Sequence, residues 1–190
     1  IYSWFQMQKE RVDSPYLKSA TQAGILAALA SITFVPISYT DMQWLGFLNI
    51  IWHLAALIWL FVSLRQQVKL ESKPNAHWYY LPTQMYLGWI CAATAVSVAL
   101  TLRQTFGVKF PIPTELTITA VIIVALLGVG LLLAANKGKI ATLTIVWALF
   151  GLIAKFGEFA HIKYTASVAI FLLITSVLYY IYKKDERLVF

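Results

Sequence analysis

The sequence predicts an all-α protein, a polytopic bundle of about six transmembrane helices. Of its 190 residues, 60% are hydrophobic and only 12% are charged, whereas a soluble domain carries about 25% charged residues. The mean hydropathy is +0.73. The apolar residues form continuous runs rather than the alternating pattern of a membrane β-barrel. Lipid is therefore the solvent that the composition favours.

Six apolar runs define the predicted spans. A transmembrane helix needs about 20 mostly apolar residues, and all runs but the fifth reach roughly that length. In the fifth, Lys139 and Lys155 at the two ends can extend their ammonium groups to the interface. The spans are placed near residues 20–38, 44–64, 82–102, 114–135, 140–154 and 164–182.

The runs are separated by polar breaks and by prolines at helix boundaries, such as Pro36, Pro111 and Pro113. Residues 1–190 are predicted to form one transmembrane domain. Residues 1–10 are interpreted as the end of an upstream helix, because Ile1 is not a start residue and no signal peptide is evident.

Basic residues predict the orientation of the bundle. Assigning alternate loops to alternate sides places Arg103, Lys109, Lys155 and Lys163 on one side. The other eleven lie on the opposite side: Lys9, Arg11, Lys18, Arg65, Lys69, Lys73, Lys137, Lys139, Lys183, Lys184 and Arg187. By the positive-inside rule, the eleven-residue side and both ends of the chain are cytoplasmic. A bacterial inner membrane or an organelle membrane is expected. The net charge of +7 therefore reflects topology and not nucleic-acid binding.

The spans contain almost no ionisable groups. Glu115 lies in the first turn of the fourth predicted helix, where it suits the helix dipole. Ion-coupled transporters usually carry buried charges along their route, and membrane hydrolases need a catalytic constellation that is not evident here. The sequence therefore favours a non-enzymatic membrane protein.

His53 stands near the middle of the second span. Asn49, Trp52, His53 and Ala56 follow i, i+3, i+4, i+7 spacing, so they are predicted to share one helix face. Two interpretations remain open. His53 is either a neutral side chain hydrogen-bonded to a neighbouring helix, or a pocket residue that could serve as an axial ligand to a haem- or chlorophyll-type metal. No other metal site is predicted.

Aromatic and small residues mark two further patterns. Trp4, Trp44, Trp59 and Trp78 lie near span ends, as interfacial aromatic belts do, whereas Trp52, Trp89 and Trp147 lie deeper. The third run carries a stripe of small residues, which indicates close helix packing within the chain or in a homodimer. The stripe consists of Gly88, Ala92, Ala95 and Ala99.

The segment from Pro82 to Ser97, PTQMYLGWICAATAVS, resembles the last helix of the five-helix core in the TspO/MBR family of tryptophan-rich sensory and translocator proteins. The matching positions are Pro82, Tyr86, Leu87, Trp89, Ala93 and Ser97, the last replacing the family's Asn. Ile145–Lys155 resembles a Trp-Ala-Leu-x-Gly-Ile stretch of the longer, tryptophan-rich branch, and Tyr2–Gln8 resembles the end of its second helix. The resemblance implies that the spans are helices three to eight of an eight-helix protein.

The sequence also departs from the family pattern. The Asn-x-x-Trp of the family's third helix falls near Ser31–Phe34, where neither residue is kept. Asn49 and Trp52 have that spacing, but they lie one helix later.

The resemblance implies a binding function. Family members of the short type bind porphyrins and sterol-like or drug-like apolar molecules inside the bundle, and by resemblance Tyr86, Trp89 and Ala93 line such a pocket. With Asn49, Trp52, His53 and Trp147 they form the predicted ligand-binding set. The expected ligand is a tetrapyrrole of porphyrin, haem or chlorophyll type, or a sterol- or carotenoid-like lipid. The alternative is an accessory structural subunit of a larger respiratory or photosynthetic membrane complex.

Overall fold

A computed structural model describes residues 15–40, 42–70, 77–104, 114–135 and 138–183. Within these ranges the backbone forms α-helices and no strand. The helices are α1 (Pro15–Ser38), α2 (Gln43–Leu70), α3 (His77–Gln104), α4 (Thr114–Ala135), α5 (Lys139–Phe156) and α6 (Ala160–Tyr182). The predicted upstream helix end at residues 1–10 lies outside the described residues, as do the side chains of Trp78 and Glu115.

Each predicted span falls within one of these helices, which confirms the all-α bundle. The bounds of α4 agree with the prediction at both ends, whereas α1 begins at residue 15 instead of 20 and α3 at residue 77 instead of 82. Hydropathy marks only the part of a helix that lies in hydrocarbon. The backbone hydrogen bonds of a helix continue into the polar interface, so the helix is longer than its apolar run.

Pro82 lies inside α3 and does not begin it. A proline has no backbone N–H, so the carbonyl four residues earlier loses its helical partner there. Pro36, in contrast, lies in the last turn of α1 as expected. The chain then turns through hydrogen bonds from the N–H of Tyr39 to the carbonyl of Pro36 (3.3 Å) and from the N–H of Thr40 to that of Ile37 (3.0 Å).

Four of the helices are long and apolar enough to cross a membrane when only the described residues are considered: α1, α2, α5 and α6. In α4, Ile122–Ala134 forms a shorter apolar stretch. The outer faces expose large apolar side chains, among them Ile32, Leu132 and Phe171. Apolar surface of this extent is stable in contact with lipid but not with water. The chain is thus an integral, multi-pass membrane protein.

The helices pack as two groups that meet between α3 and α5. In the first group, α1 packs against α2 and α2 against α3; in the second, both α4 and α5 pack against α6. The contact of α3 with α5 is the most extensive one between the groups, and α3 also touches α4. The space beside the α3–α5 contact is where the candidate site lies.

Small residues allow the closest helix contacts. Buried alanines of α1, including Ala20, Ala23 and Ala27, form one face of that helix. In α3, a Cβ at Gly88 would overlap the backbone carbonyl oxygen of Ala141 and would lie 2.9 Å from the Cβ of Thr144, both in α5. Lipid provides no hydrophobic driving force between helices, so close packing of this kind supplies much of the attraction between them. The predicted small-residue stripe therefore packs within the chain at Gly88.

We expect Gly88→Ala to lower the stability of the protein, because the added methyl group meets a backbone carbonyl that cannot rotate away. Overpacking of this kind costs about 1–3 kcal/mol. The measurement is the apparent Tm of the purified protein in detergent. Gly128→Ala is the matched control, since a Cβ at Gly128 meets nothing within 4 Å. Equal Tm values for the two variants would show that α3 and α5 do not approach each other at Gly88.

Candidate functional site

A group of polar side chains joins α1, α2 and α3 inside the membrane. Asn49 and His53 of α2 are each only 4% exposed. They meet Ser31 and Thr33 of α1, and Tyr86 of α3 completes the group. We call these five residues the polar cluster.

Ser31 is the central residue of the polar cluster. Its Oγ lies 2.9 Å from the hydroxyl of Tyr86, 3.4 Å from Nε2 of His53 and 3.0 Å from the carbonyl oxygen of Ala27. A serine hydroxyl has one hydrogen to donate. If it donates to the Ala27 carbonyl, the hydroxyl of Tyr86 and the Nε2–H of His53 both donate to Ser31. This arrangement satisfies all three contacts with His53 neutral.

Asn49 forms the second link between α1 and α2. Its Nδ2 donates to Oγ1 of Thr33 over 2.8 Å, and Thr33 in turn donates to the carbonyl of Leu29 over 2.8 Å. Oδ1 of Asn49 is buried and has no hydrogen-bond partner among the described residues. The amide therefore still has an acceptor available within the helix bundle.

The surroundings of His53 agree with the packing interpretation. Its ring packs edge-on against Tyr86, with ring centroids 5.2 Å apart and an interplanar angle of 77°. Hydrogen bonds between membrane helices contribute about 0.6–2 kcal/mol each, so the polar cluster holds three helices in register. His53 does not line either cavity described below, and its role as an axial metal ligand stays a prediction.

Two cavities lie beside the polar cluster, on the α5 side of α3. The larger has a volume of about 790 Å³ and the smaller about 680 Å³. Both volumes fall in the range of about 300–1,000 Å³ that is typical of small-molecule sites. The larger cavity extends from Phe34 of α1 to Lys155 of α5, and the smaller lies near Pro82 and Tyr86.

Trp89 and Trp147 line both cavities. Their ring centroids are 5.7 Å apart and the rings are tilted by 40°. The pair follows from the helix contact at Gly88, because Trp89 is the next residue of α3 and Trp147 lies one turn after Thr144 of α5. Trp147 is 63% exposed, so the cavities open towards the surrounding lipid.

The two cavities together form what we call the α3–α5 groove. The structure places four of the predicted site residues along this groove. Tyr86 lines the smaller cavity, Ala93 lines the larger, and Trp89 and Trp147 line both. Tyr86, Trp89 and Ala93 thus face the same groove, as their i, i+3, i+7 spacing suggests. Asn49 and His53 lie in the adjacent polar cluster.

Trp52 is more exposed than the other residues of the helix face that it is predicted to share with Asn49 and His53. It is 39% exposed, whereas Asn49, His53 and Ala56 are buried, and it does not line either cavity. Trp52 lies at the edge of the i, i+3, i+4, i+7 pattern, and packing of α2 against both α1 and α3 leaves that edge towards lipid. An indole ring is amphipathic, so the side chain of Trp52 is stable facing lipid.

Sequence reasoning missed several residues of the site. Ser31 and Phe34 occupy the positions where the family's Asn-x-x-Trp would fall; Ser31 joins the polar cluster and Phe34 lines the larger cavity. The missing motif could therefore have marked both positions. Ile122 and Leu126 of α4 also line the larger cavity. Nothing in the apolar stretch Ile122–Ala134 of α4 distinguishes them.

The described residues offer no group of three or more His, Cys, Asp or Glu side chains that could hold a metal ion. The one cysteine of the sequence, Cys91, is buried in α3. The residues that line the two cavities are mostly aromatic and apolar, and their polar groups are hydroxyls, the two indoles and one ammonium.

Comparison with known protein families identifies the family to which the chain belongs. The family model described as TSPO-like protein matches residues 1–179. No curated protein and no solved structure gives a significant match. The family match covers the polar cluster, the Trp89–Trp147 pair and all of the residues named around the two cavities. The chain belongs to the TSPO-like protein family.

Proposed function

We propose that the protein is a non-enzymatic membrane protein that binds a flat, apolar ligand of the tetrapyrrole class in the groove between α3 and α5. The observation that carries this proposal is the Trp89–Trp147 pair, which forms a common wall of two cavities. Indole rings favour stacked and edge-on contacts with other flat rings.

The ligand stacks on one side of the tryptophan pair and does not insert between the rings. A flat ring between two others needs about 7 Å, twice the contact distance between carbon atoms, whereas these centroids are 5.7 Å apart. The larger cavity offers a broad apolar surface beside the pair, formed by residues such as Phe34, Ile122 and Leu126. A sterol- or carotenoid-like lipid would also pack against this apolar surface, but it would gain less binding free energy from the two indoles.

The polar cluster holds one of the residues that line the smaller cavity in place. Tyr86 lines the smaller cavity while its hydroxyl is bonded to Ser31. This bond fixes the ring of Tyr86 relative to α1. A ligand in the smaller cavity thus meets an aromatic side chain held in one orientation, which reduces the entropy lost on binding. The accessory-subunit alternative and a homodimer stay predictions, since all the contacts described lie within one chain.

Replacing Trp89 or Trp147 by Ala is expected to weaken the binding of protoporphyrin IX about three- to tenfold, in line with the value of about 0.5–1.5 kcal/mol for an aromatic pair. The full chain is placed in phosphatidylcholine nanodiscs and titrated by porphyrin absorbance. Empty nanodiscs give the background partitioning into lipid.

The matched control is Trp44→Ala, because Trp44 is exposed and does not line either cavity. The affinity of the Trp44→Ala variant for protoporphyrin IX is expected to stay within about twofold of that of the unsubstituted protein. If Trp89→Ala and Trp147→Ala bind the porphyrin as Trp44→Ala does, the groove is not the site.

We also propose that the end of α6 at Lys183 faces the cytoplasm and that the end at Lys163 faces the opposite side, as the count of eleven against four basic residues indicates. Both lysines are exposed, and they lie at opposite ends of α6.

Single cysteines at these two positions test the orientation. In a Cys91→Ala background, a membrane-impermeant maleimide applied to intact cells should label Lys163→Cys and not Lys183→Cys. Labelling of Lys183→Cys should require membrane permeabilisation. The reverse pattern would invert the topology.

A further inference from the structure

The larger cavity contains one charged group. The structure describes sixteen residues that line this cavity, and among them the only polar side chains besides the two indoles are Ser97 of α3 and Lys155 of α5. No carboxylate is present among these residues to neutralise the ammonium of Lys155. The cavity therefore combines a long apolar surface with a single positive charge at one end of α5.

Lys155 could act only as an anchor for the end of α5. It lies in the last turn of the helix, where a cation suits the dipole, and its Nζ lies 5.2 Å from the centroid of the Phe156 ring. Lys155 also lines the larger cavity, which an anchoring role does not require. The neighbouring residues Gly151, Leu152 and Ala154 line the same wall, so the lysine stem continues the surface that a ligand would contact.

We propose that the larger cavity binds an amphiphile whose apolar body packs against Trp89 and Trp147 and whose carboxylate pairs with Lys155. This inference rests on the proposed function and specifies the chemistry of the ligand. A single ammonium suits a carboxylate, because phosphate recognition generally uses several donors or the forked geometry of arginine.

Two kinds of molecule share this chemistry: a flat macrocycle with carboxylate side chains and a linear fatty acid. The first stacks on the indoles, whereas the second gains only apolar contact from them. Protoporphyrin IX and palmitate represent the two. Protoporphyrin IX dimethyl ester and methyl palmitate keep the apolar bodies while removing the charge.

The test compares the affinities of the four compounds for variants in phosphatidylcholine nanodiscs, whose lipids carry no net charge. Palmitate and its ester are measured by displacement of an environment-sensitive fluorescent fatty acid. Lys155→Gln is expected to weaken binding of the acids about two- to fivefold, as befits a solvent-exposed ion pair, and to leave the esters unchanged. Lys155→Arg keeps the charge and should restore most of the affinity.

Lys163→Gln is the matched control, because it removes the same charge from an exposed lysine that does not line the cavity. The effect of Lys155→Gln should also shrink at 1 M salt, where charges are screened beyond about 3 Å. Equal losses in Lys155→Gln and Lys163→Gln, or equal effects on acid and ester, would overturn the carboxylate pairing.

The outcomes separate this inference from the proposed function. If the esters bind and depend on Trp89 while Lys155→Gln has no effect on the acids, the groove binds apolar ligands but the carboxylate pairing is wrong. If none of the four compounds depends on Trp89, both proposals fail. Dependence on Lys155 seen for protoporphyrin IX but not for palmitate supports the macrocyclic ligand, and the reverse supports the fatty acid.

Discussion

The backbone of α3 lies directly against α5 at Gly88, where even a methyl group would overlap the carbonyl oxygen of Ala141. Much of the arrangement around the groove depends on this contact. It places Trp89 beside Trp147, and it joins the group formed by α1, α2 and α3 to the second group of helices. A wider separation of α3 and α5 would separate the indoles and merge the two cavities. The packing of one glycine thus determines the shape of the candidate site.

The membrane determines how much the remaining interactions contribute to the stability of the bundle. In lipid, helices gain little from hydrophobic burial, so close packing and interhelical hydrogen bonds decide how they associate. The polar cluster supplies such bonds through Ser31, Asn49 and Tyr86. Because Tyr86 belongs to the cluster and also lines the smaller cavity, the interactions that hold α1 to α3 also shape the groove. Residues that stabilise the bundle therefore also form part of the candidate site.

Much of the fold follows from the sequence, because lipid requires continuous apolar helices and so makes each span visible. The site follows only in part. Tyr86, Trp89 and Ala93 were predictable as a face of α3 from their spacing, but the rotation of α2 that leaves Trp52 towards lipid depends on its contacts with both α1 and α3. The larger cavity is also lined by residues of four helices besides α3, namely α1, α2, α4 and α5. Sequence spacing along one helix carries no information about which side chains of distant helices face it.

The groove beside the Trp89–Trp147 pair is the proposed binding site of an apolar ligand. Photoaffinity labelling tests it most directly, using a diazirine-bearing apolar probe in nanodiscs with and without excess protoporphyrin IX. Mass spectrometry should then find competed labels on the α3 and α5 peptides that contain Trp89 and Trp147. Uncompeted label on the lipid-facing surface of α6, around Phe171, is the expected background. Labels spread evenly over all helices, with none competed by the porphyrin, would contradict ligand binding in the groove.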